Sequence, residues 1–276
     1  GGRRRGALST SIGDLEMTIR TRILPRASRG LLLAWFLVPL VPIVLWAASN
    51  RWSFPAALPQ VWGVDGFRNV LAAGAVDAFV RSMGLALAVA AIATLLGACA
   101  AQALVRADVH FPAVVAGILF APLALPPFAV ALGLDVLVLR ARIPSTVAVI
   151  MLLTVAAIPY TTYLMRAAFG AYDIGYEEEA RTLGASTATI LWKIRIPLLA
   201  PALSGAALLA FLVGWSDYVI TLLIGGGRLI TVPILVASLA AGTGNDAVVA
   251  ALSLTAVLPP LVLVLLLSRL RRWRSR

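Results

Sequence analysis

Six stretches of this chain, each 21 to 26 residues long, carry no charged side chain. They are Gly30–Asn50, Ser82–Val105, Val109–Leu134, Ile143–Met165, Ile196–Ser216 and Ala247–Ser268. A helix that crosses a bilayer needs about 20 mostly apolar residues. Backbone in lipid must satisfy its own hydrogen bonds, which selects helices. The runs therefore predict an all-α integral membrane protein with six transmembrane helices, the fifth continuing past Asp217 to about Leu223. Composition agrees, with 61% hydrophobic and 13% charged residues, against about 25% charged in a soluble domain. A soluble enzyme, a disordered tail and a secreted disulfide scaffold are excluded. The single cysteine, Cys99, can form no intrachain disulfide, and in its Ala/Gly-rich run it reads as a small packing residue.

The basic residues set the topology. With six spans and the N-terminus inside, 17 of the 23 Lys and Arg residues fall on cytoplasmic segments and 6 on outer ones. Short cytoplasmic loops carry that excess, so both termini are expected in the cytoplasm. A seventh apolar stretch, Leu229–Asn245, carries Pro233, Gly242 and Gly244 and reads as a short re-entrant or surface helix. Crossing there would put five C-terminal arginines outside. The net charge of +11 is then topology plus contact with anionic lipid. Nucleic-acid binding is not expected, because no basic platform interleaved with aromatics is present.

The sequence divides into a basic N-terminal segment (1–29), a transmembrane domain (30–270) with a polar loop at 166–197, and a basic tail (271–276). The chain begins at Gly1, and Met17 is a candidate internal start. The apolar run from Leu31 is too long for a signal-peptide core and reads as a retained first helix.

The connection between spans two and three is short, from Arg106 to about His110 with Asp108 in the middle. The connection from Arg166 to Arg195 is about 30 residues and far more polar, and loops of that length usually have structure and function of their own, a merely structural loop being the alternative. Tyr176–Leu183 predicts a helix with Glu177, Glu178 and Glu179 in its first turn, where acids favour the dipole. Gly184 is placed as its C′ stop, and Ser186 or Thr187 as the N-cap of a second helix. That helix should run to about Arg195 and be broken by Pro197.

Glu178-Glu179-Ala180-Arg181-Thr182-Leu183-Gly184, nine residues, then Ile194-Arg195-Ile196-Pro197 resembles the EAA motif of ABC-importer permease subunits, E-A-A, three residues, G, nine residues, I-x-L-P. Glu179 stands where the motif has its first alanine and Ile196 where it has leucine. The resemblance covers roughly residues 80–270. It implies the type I ABC importer permease fold. It also implies that this loop forms coupling helices that dock on a separate ATPase, with Glu178, Glu179, Ala180, Gly184, Ala185, Ile194 and Pro197 as the docking set. The partners implied are a pair of ATPase subunits that hold ATP and Mg, a second permease chain and an extracytoplasmic solute-binding protein. The chain itself has no Gly-x-x-x-x-Gly-Lys-Ser/Thr phosphate loop, so no cofactor and no ATP hydrolysis are expected of it.

Ionisable groups inside a membrane are costly and mark functional positions. Asp135 ends the third run and Asp217 interrupts the region after the fifth. At 1.5 Å per residue, Asp217 lies about 30 Å from Pro197, near the outer face. There, with Trp215, Ser216 and Tyr218, it is a candidate for the pathway or its outer gate, Asp135 being a second. Wetting at helix ends is the alternative for both. Leu125-Pro126-Pro127 is the best hinge candidate among the prolines, and Gly225-Gly226-Gly227 gives a flexible exit from span five. Small residues in span two (Gly84, Ala86, Ala88, Ala90, Gly97, Ala98) predict close helix packing. His110 has no second histidine or cysteine at ligand spacing, so no metal site is expected.

The sequence thus reads as the permease subunit of an ATP-driven importer in a prokaryotic plasma membrane. Gly214–Val219, the glycine loop and Thr231-Val232-Pro233 look more like polyamine, phosphonate, thiamine and iron permeases than like sugar permeases. Asp217 would suit a cation such as spermidine or putrescine. The rivals are a secondary transporter, which should show internal repeats and a midplane ion site, and a non-transporting scaffold.

Overall fold

A computed structural model describes residues 26–274 apart from 54, 107 and 108. Most of the basic segment expected over 1–29, the middle of the Arg106–His110 connection with Asp108, and the last two residues of the tail lie outside the described residues.

The first apolar run forms α1 (Arg26–Leu37) and α2 (Val41–Ala47), joined by a 3₁₀ turn, Val38–Leu40, at Pro39. A two-stranded ribbon follows, β1 (Ser49–Arg51) antiparallel to β2 (Val61–Trp62), then α3 (Asp65–Ala72). Asn50 ties the ribbon to α3, since its amide donates to the Asp65 carboxylate and its Oδ1 accepts from the Asp65 backbone N–H. The long helix α4 (Ala75–Arg106) has 32 residues, about 48 Å, and reaches from one end of the bundle to the other. α5 (Pro112–Phe120) and α6 (Pro127–Arg140) come from the third run, α7 (Ser145–Gly170) from the fourth.

Among the described residues, five helical runs are long and apolar enough to cross a membrane: Gly30–Ala47, Ala75–Arg106, Ser145–Gly170, Thr187–Ser216 and Asp246–Arg269. The third run is not a straight span. It is a pair, Pro112–Leu123 and Pro127–Arg140, bent by 97°. The break falls at the predicted hinge. Pro126 is extended, with φ −61° and ψ 128°, because a residue before proline is driven out of the α region. Two successive prolines also remove two N–H donors. By contrast Pro159, Pro201, Pro259 and Pro260 sit within continuous helices.

The core is a three-helix crossing of α4, α7 and α10 (Ile196–Ser216). Ala86, Val89, Ala93, Leu153, Ala157, Ala210 and Phe211 are buried together at its centre. A smaller cluster, Ala101, Met165, Phe169, Leu199 and Ala206, closes the end nearest the polar loop. Small residues let the backbones approach: a Cβ on Gly97 would fall 2.0 Å from Thr161 Oγ1 and 3.0 Å from the Thr162 nitrogen. In the same crossing the Thr161 hydroxyl donates to the Ala93 carbonyl at 2.9 Å. The predicted packing role fits Gly97, Ala86 and Ala90 but not Gly84, around which space is open, nor Cys99, which is exposed.

After α10 the helix stops at Ser216 rather than continuing to Leu223. α11 (Val219–Gly225) is a separate helix, and left-handed Gly226 and Gly227 make a defined turn after it. The expected short helix is α12 (Val232–Ala240), far too short to cross. Its Val232 N–H donates to the hydroxyl of Ser82 in α4 at 2.8 Å, which satisfies an end donor that a helix leaves open. α13 (Asp246–Arg274) packs on α2 and α3.

Candidate functional site: a polar knob between two core helices

The polar loop folds as a short helix, a tight turn and a second helix that merges into α10. An Asx turn opens it, with the Gly175 N–H donating to Asp173 Oδ1 at 2.9 Å. α8 (Gly175–Thr182) then carries the three glutamates. Gly184 ends it in the left-handed region at φ +82°. The Ala185 N–H donates to the Ala180 carbonyl and the Gly184 N–H to the Arg181 carbonyl, both at 3.0 Å. Those two bonds are the Schellman pattern that caps a helix C-terminus. Ser186 then caps α9 (Thr187–Ile190), its Oγ accepting from the Thr189 N–H at 3.3 Å.

Pro197 does not break this second helix. α9 runs on through one π-helical turn, Leu191–Arg195, into α10, making a continuous helix from Thr187 to Ser216. The Ile196 N–H reaches back five residues to the Leu191 carbonyl. The wider turn lets the helix re-register around a residue that has no N–H to give. The knob is therefore a rigid extension of α10 rather than a piece hinged to it.

The three adjacent glutamates are not equivalent. Glu178 and Glu179 are exposed. Glu177 is 1% exposed and is the only buried residue of α8. Its carboxylate receives a fork from Arg195, Nε to Oε1 at 2.8 Å and Nη2 to Oε2 at 2.7 Å. Arg106, at the end of α4, stands 3.6 Å from Oε1, and Arg181 stands 3.8 Å from Oε2. The Arg106 guanidinium also lies over the rings of Phe169 and Tyr172, at 5.5 and 4.8 Å from their centroids. Cation–π contact of this kind offsets burial of the charge. In the sequence Glu177 stands out only as a first-turn acid. The signals that pointed further were Arg181 at i+4 and Arg195 eighteen residues on.

Hydrogen bonds from Arg195, opposed by burial, lower the Glu177 pKa from 4.5 to about 2. A depressed carboxyl contributes stability that is fully present above its unfolded value and is lost as pH falls through the folded one. The window is pH 4.5 down to about 2, and the contribution is about 3 kcal/mol. Thermal midpoints of detergent-purified protein should therefore fall across that window. In Glu177→Gln the part of the fall that belongs to this carboxyl should vanish.

Of the other predicted positions, Ala180 and Ala185 are half-buried in the turn, Gly184 is exposed, Ile194 is half-buried and Pro197 is exposed at the root. The second predicted group lies along α10 on the far side of the core. Asp217 is extended (φ −68°, ψ 133°). It accepts from the Thr221 N–H and hydroxyl, both at 2.8 Å, and from the Ile220 N–H at 3.4 Å. It thus starts α11, as short polar side chains do at helix N-termini. Ser216 and Tyr218 are exposed beside it. Trp215 faces the core, stacked 5.7 Å from Phe211 with Nε1 donating to the Ala256 carbonyl at 3.1 Å. Asp135 lies inside α6, half-buried and not at a helix end, on a helix that packs against α11.

Residues 93–276 match the family described as binding-protein-dependent transport system inner membrane component. The chain is 31% identical over 192 residues to the spermidine/putrescine transport system permease protein PotC of Haemophilus influenzae, covering 69% of this chain and 74% of that one. It is 27% identical over 248 residues to the putative 2-aminoethylphosphonate transport system permease protein PhnV of Salmonella choleraesuis, covering 88% and 92%. Among solved structures, a bacterial ABC transporter involved in import of the acidic polysaccharide alginate shares the fold, with TM-score 0.63 at 19% identity over 90% of this chain and 99% of that one. The match over 93–276 takes in the whole knob and every core helix after α4's first half, and it makes this multi-pass membrane protein a member of the binding-protein-dependent ABC importer permease family.

Proposed function

We propose that the chain forms one half of the solute pathway of an ATP-driven importer, and that its knob faces the cytoplasm of a prokaryote and docks on a separate ATPase subunit. The observation that carries this reading is the knob itself. It presents Glu178, Glu179 and Gly184 to solvent, while its second helix is continuous with a core membrane helix. A partner that moves the knob moves α10. The 17 basic residues assigned to the knob side and the termini support the same orientation. A second permease chain, a pair of ATPases holding ATP and Mg, and an extracytoplasmic binding protein complete the transporter in this reading.

The pathway reading rests on the break between α10 and α11. Helix ends leave carbonyls without intrahelical partners, and interrupted helices in transporters line solute sites. Ser216, Asp217 and Tyr218 stand at that break, with Trp215 packed behind them; Asp135, on α6, is a second polar position. The solute is a small polar or charged compound, and two relatives are named for solutes that bear amines, spermidine/putrescine and 2-aminoethylphosphonate.

The test is co-expression with the ATPase subunit and binding protein of the same transport system. The ATPase should co-purify with the tagged chain, and in proteoliposomes hydrolysis should rise when loaded binding protein is added. Failure of the ATPase to co-purify would remove the coupling claim. Calorimetry of the binding protein with putrescine, 2-aminoethylphosphonate and maltose separates the solute classes.

A further inference from the structure

We infer that Glu177, with Arg195 and Arg106, is a positioning hub that transmits movement of the docking knob to the membrane helices and does not itself touch the ATPase. The inference rests on the docking role proposed above. α8 buries no apolar side chain; its single buried residue is this carboxylate. The first helix of the knob is therefore fastened to the bundle by charge rather than by hydrophobic packing. The carboxylate ties two helix ends directly and a third through Arg106. The Arg195 fork fixes it to the root of α10, Arg106 brings in the end of α4, and the rings under Arg106 belong to the end of α7 and the residues just after it. Arg181, on α8 itself and half in solvent, completes the set.

The geometry suits transmission. A bidentate guanidinium–carboxylate pair fixes direction as well as distance. Beside the hub a groove of about 630 Å³ opens between α7 and α10, lined by Leu164, Ala168, Tyr172, Asp173, Leu198 and Ala202. Packing therefore leaves part of α10 uncovered on that flank, and Tyr172, whose ring lies under Arg106, lines the groove. The balance of charge makes the carboxylate irreplaceable by an amide. Arg106 and Arg195 are mostly buried, and Arg106 Nη1 and Nη2 have no hydrogen-bond partner among the described residues. Among the described residues Glu177 is the one carboxylate paired with them. Its neighbours Glu178 and Glu179 point outward, so adjacent acids divide the work of holding and docking.

The experiment compares wild type, Glu177→Gln, Arg195→Gln, the double variant and Glu178→Gln, each in complex with the ATPase in proteoliposomes. Two quantities are read: ATPase retained per permease, and solute transported per ATP hydrolysed. Glu177→Gln and Arg195→Gln should retain the ATPase while transport per ATP falls about tenfold, and the double variant should fall no further than either single one. Glu178→Gln should instead reduce ATPase retention. Where an amide variant fails to fold, Glu177→Asp and Arg195→Lys keep the charges, lose the fork and should show the same split. A wild-type transport ratio in folded Glu177→Gln or Glu177→Asp would overturn the hub. So would a loss of transport explained entirely by lost ATPase. If wild type itself retains no ATPase, the docking reading fails instead.

Discussion

Gly184→Trp is expected to strip the ATPase from the purified permease while leaving the membrane domain folded. Gly184 sits at φ +82° with open space where a Cβ would go. A side chain there meets no neighbour, but an L-residue in the left-handed region is strained by about 1–2 kcal/mol. That is within what a domain tolerates, and the strain falls on a surface turn, where the Ala185 to Ala180 bond closes the Schellman pattern. The indole would project from the apex of the knob, next to Leu183, which is 87% exposed. A partner surface shaped to a bare backbone would meet a ring instead. Gly184→Ala separates the two effects, since it carries the strain without the bulk and should keep most of the binding. Pull-down of the ATPase, with thermal unfolding in detergent as the folding control, reads the result. Full retention of the ATPase by Gly184→Trp would move the docking surface elsewhere.

Gly97→Val should do the opposite and destroy the fold rather than the coupling. The new Cβ would lie 2.0 Å from Thr161 Oγ1, 2.7 Å from Thr161 Cβ and 3.0 Å from the Thr162 backbone nitrogen. No rotamer change relieves a contact with backbone, so α4 and α7 must separate along the largest interface of the bundle. Separation also breaks the hydrogen bond from Thr161 to Ala93. Overpacking a tight core costs about 1–3 kcal/mol, and this crossing should reach or pass the upper figure. Monodisperse yield and thermal midpoint measure it. Gly84→Val, on the same helix with nothing within 4 Å, is the matched control and should change stability by less than about 0.5 kcal/mol. Equal effects at the two glycines would show that the crossing is looser than described.

The spans were legible because a charge in lipid is expensive, so its absence over 21 residues or more is informative. The turn at Gly184 and the cap at Ser186 were legible because each is a local backbone requirement met by one residue. The bend of 97° in the third run was visible only as a proline pair, since its size depends on how α6 packs against α11. The break at Asp217 was hidden because apolar residues continue on both sides. There, one carboxylate satisfies the first donors of a new helix instead of lining the old one. Pro197 misled for a related reason, because a π turn absorbs the missing donor and composition does not record it. Glu177 was the largest omission. Three adjacent glutamates look alike in sequence, and which one faces inward is fixed by the phase of α8 against α4 and α10. Only the structure brings Arg106 and Arg195 to the same carboxylate.

The knob, not the opposite end of the molecule, should be the face that meets the ATPase. Cys99 is the single native cysteine and is exposed, so it is first replaced by serine. One cysteine is then placed at Ala185, in the knob, or at Leu58, between β1 and β2 at the other end of α4. Each variant is co-expressed with the ATPase and treated with a short bifunctional maleimide in membrane vesicles. A permease–ATPase adduct is expected from Ala185→Cys and none from Leu58→Cys. An adduct from Leu58→Cys, or none from Ala185→Cys while the ATPase still co-purifies, would contradict docking at the knob.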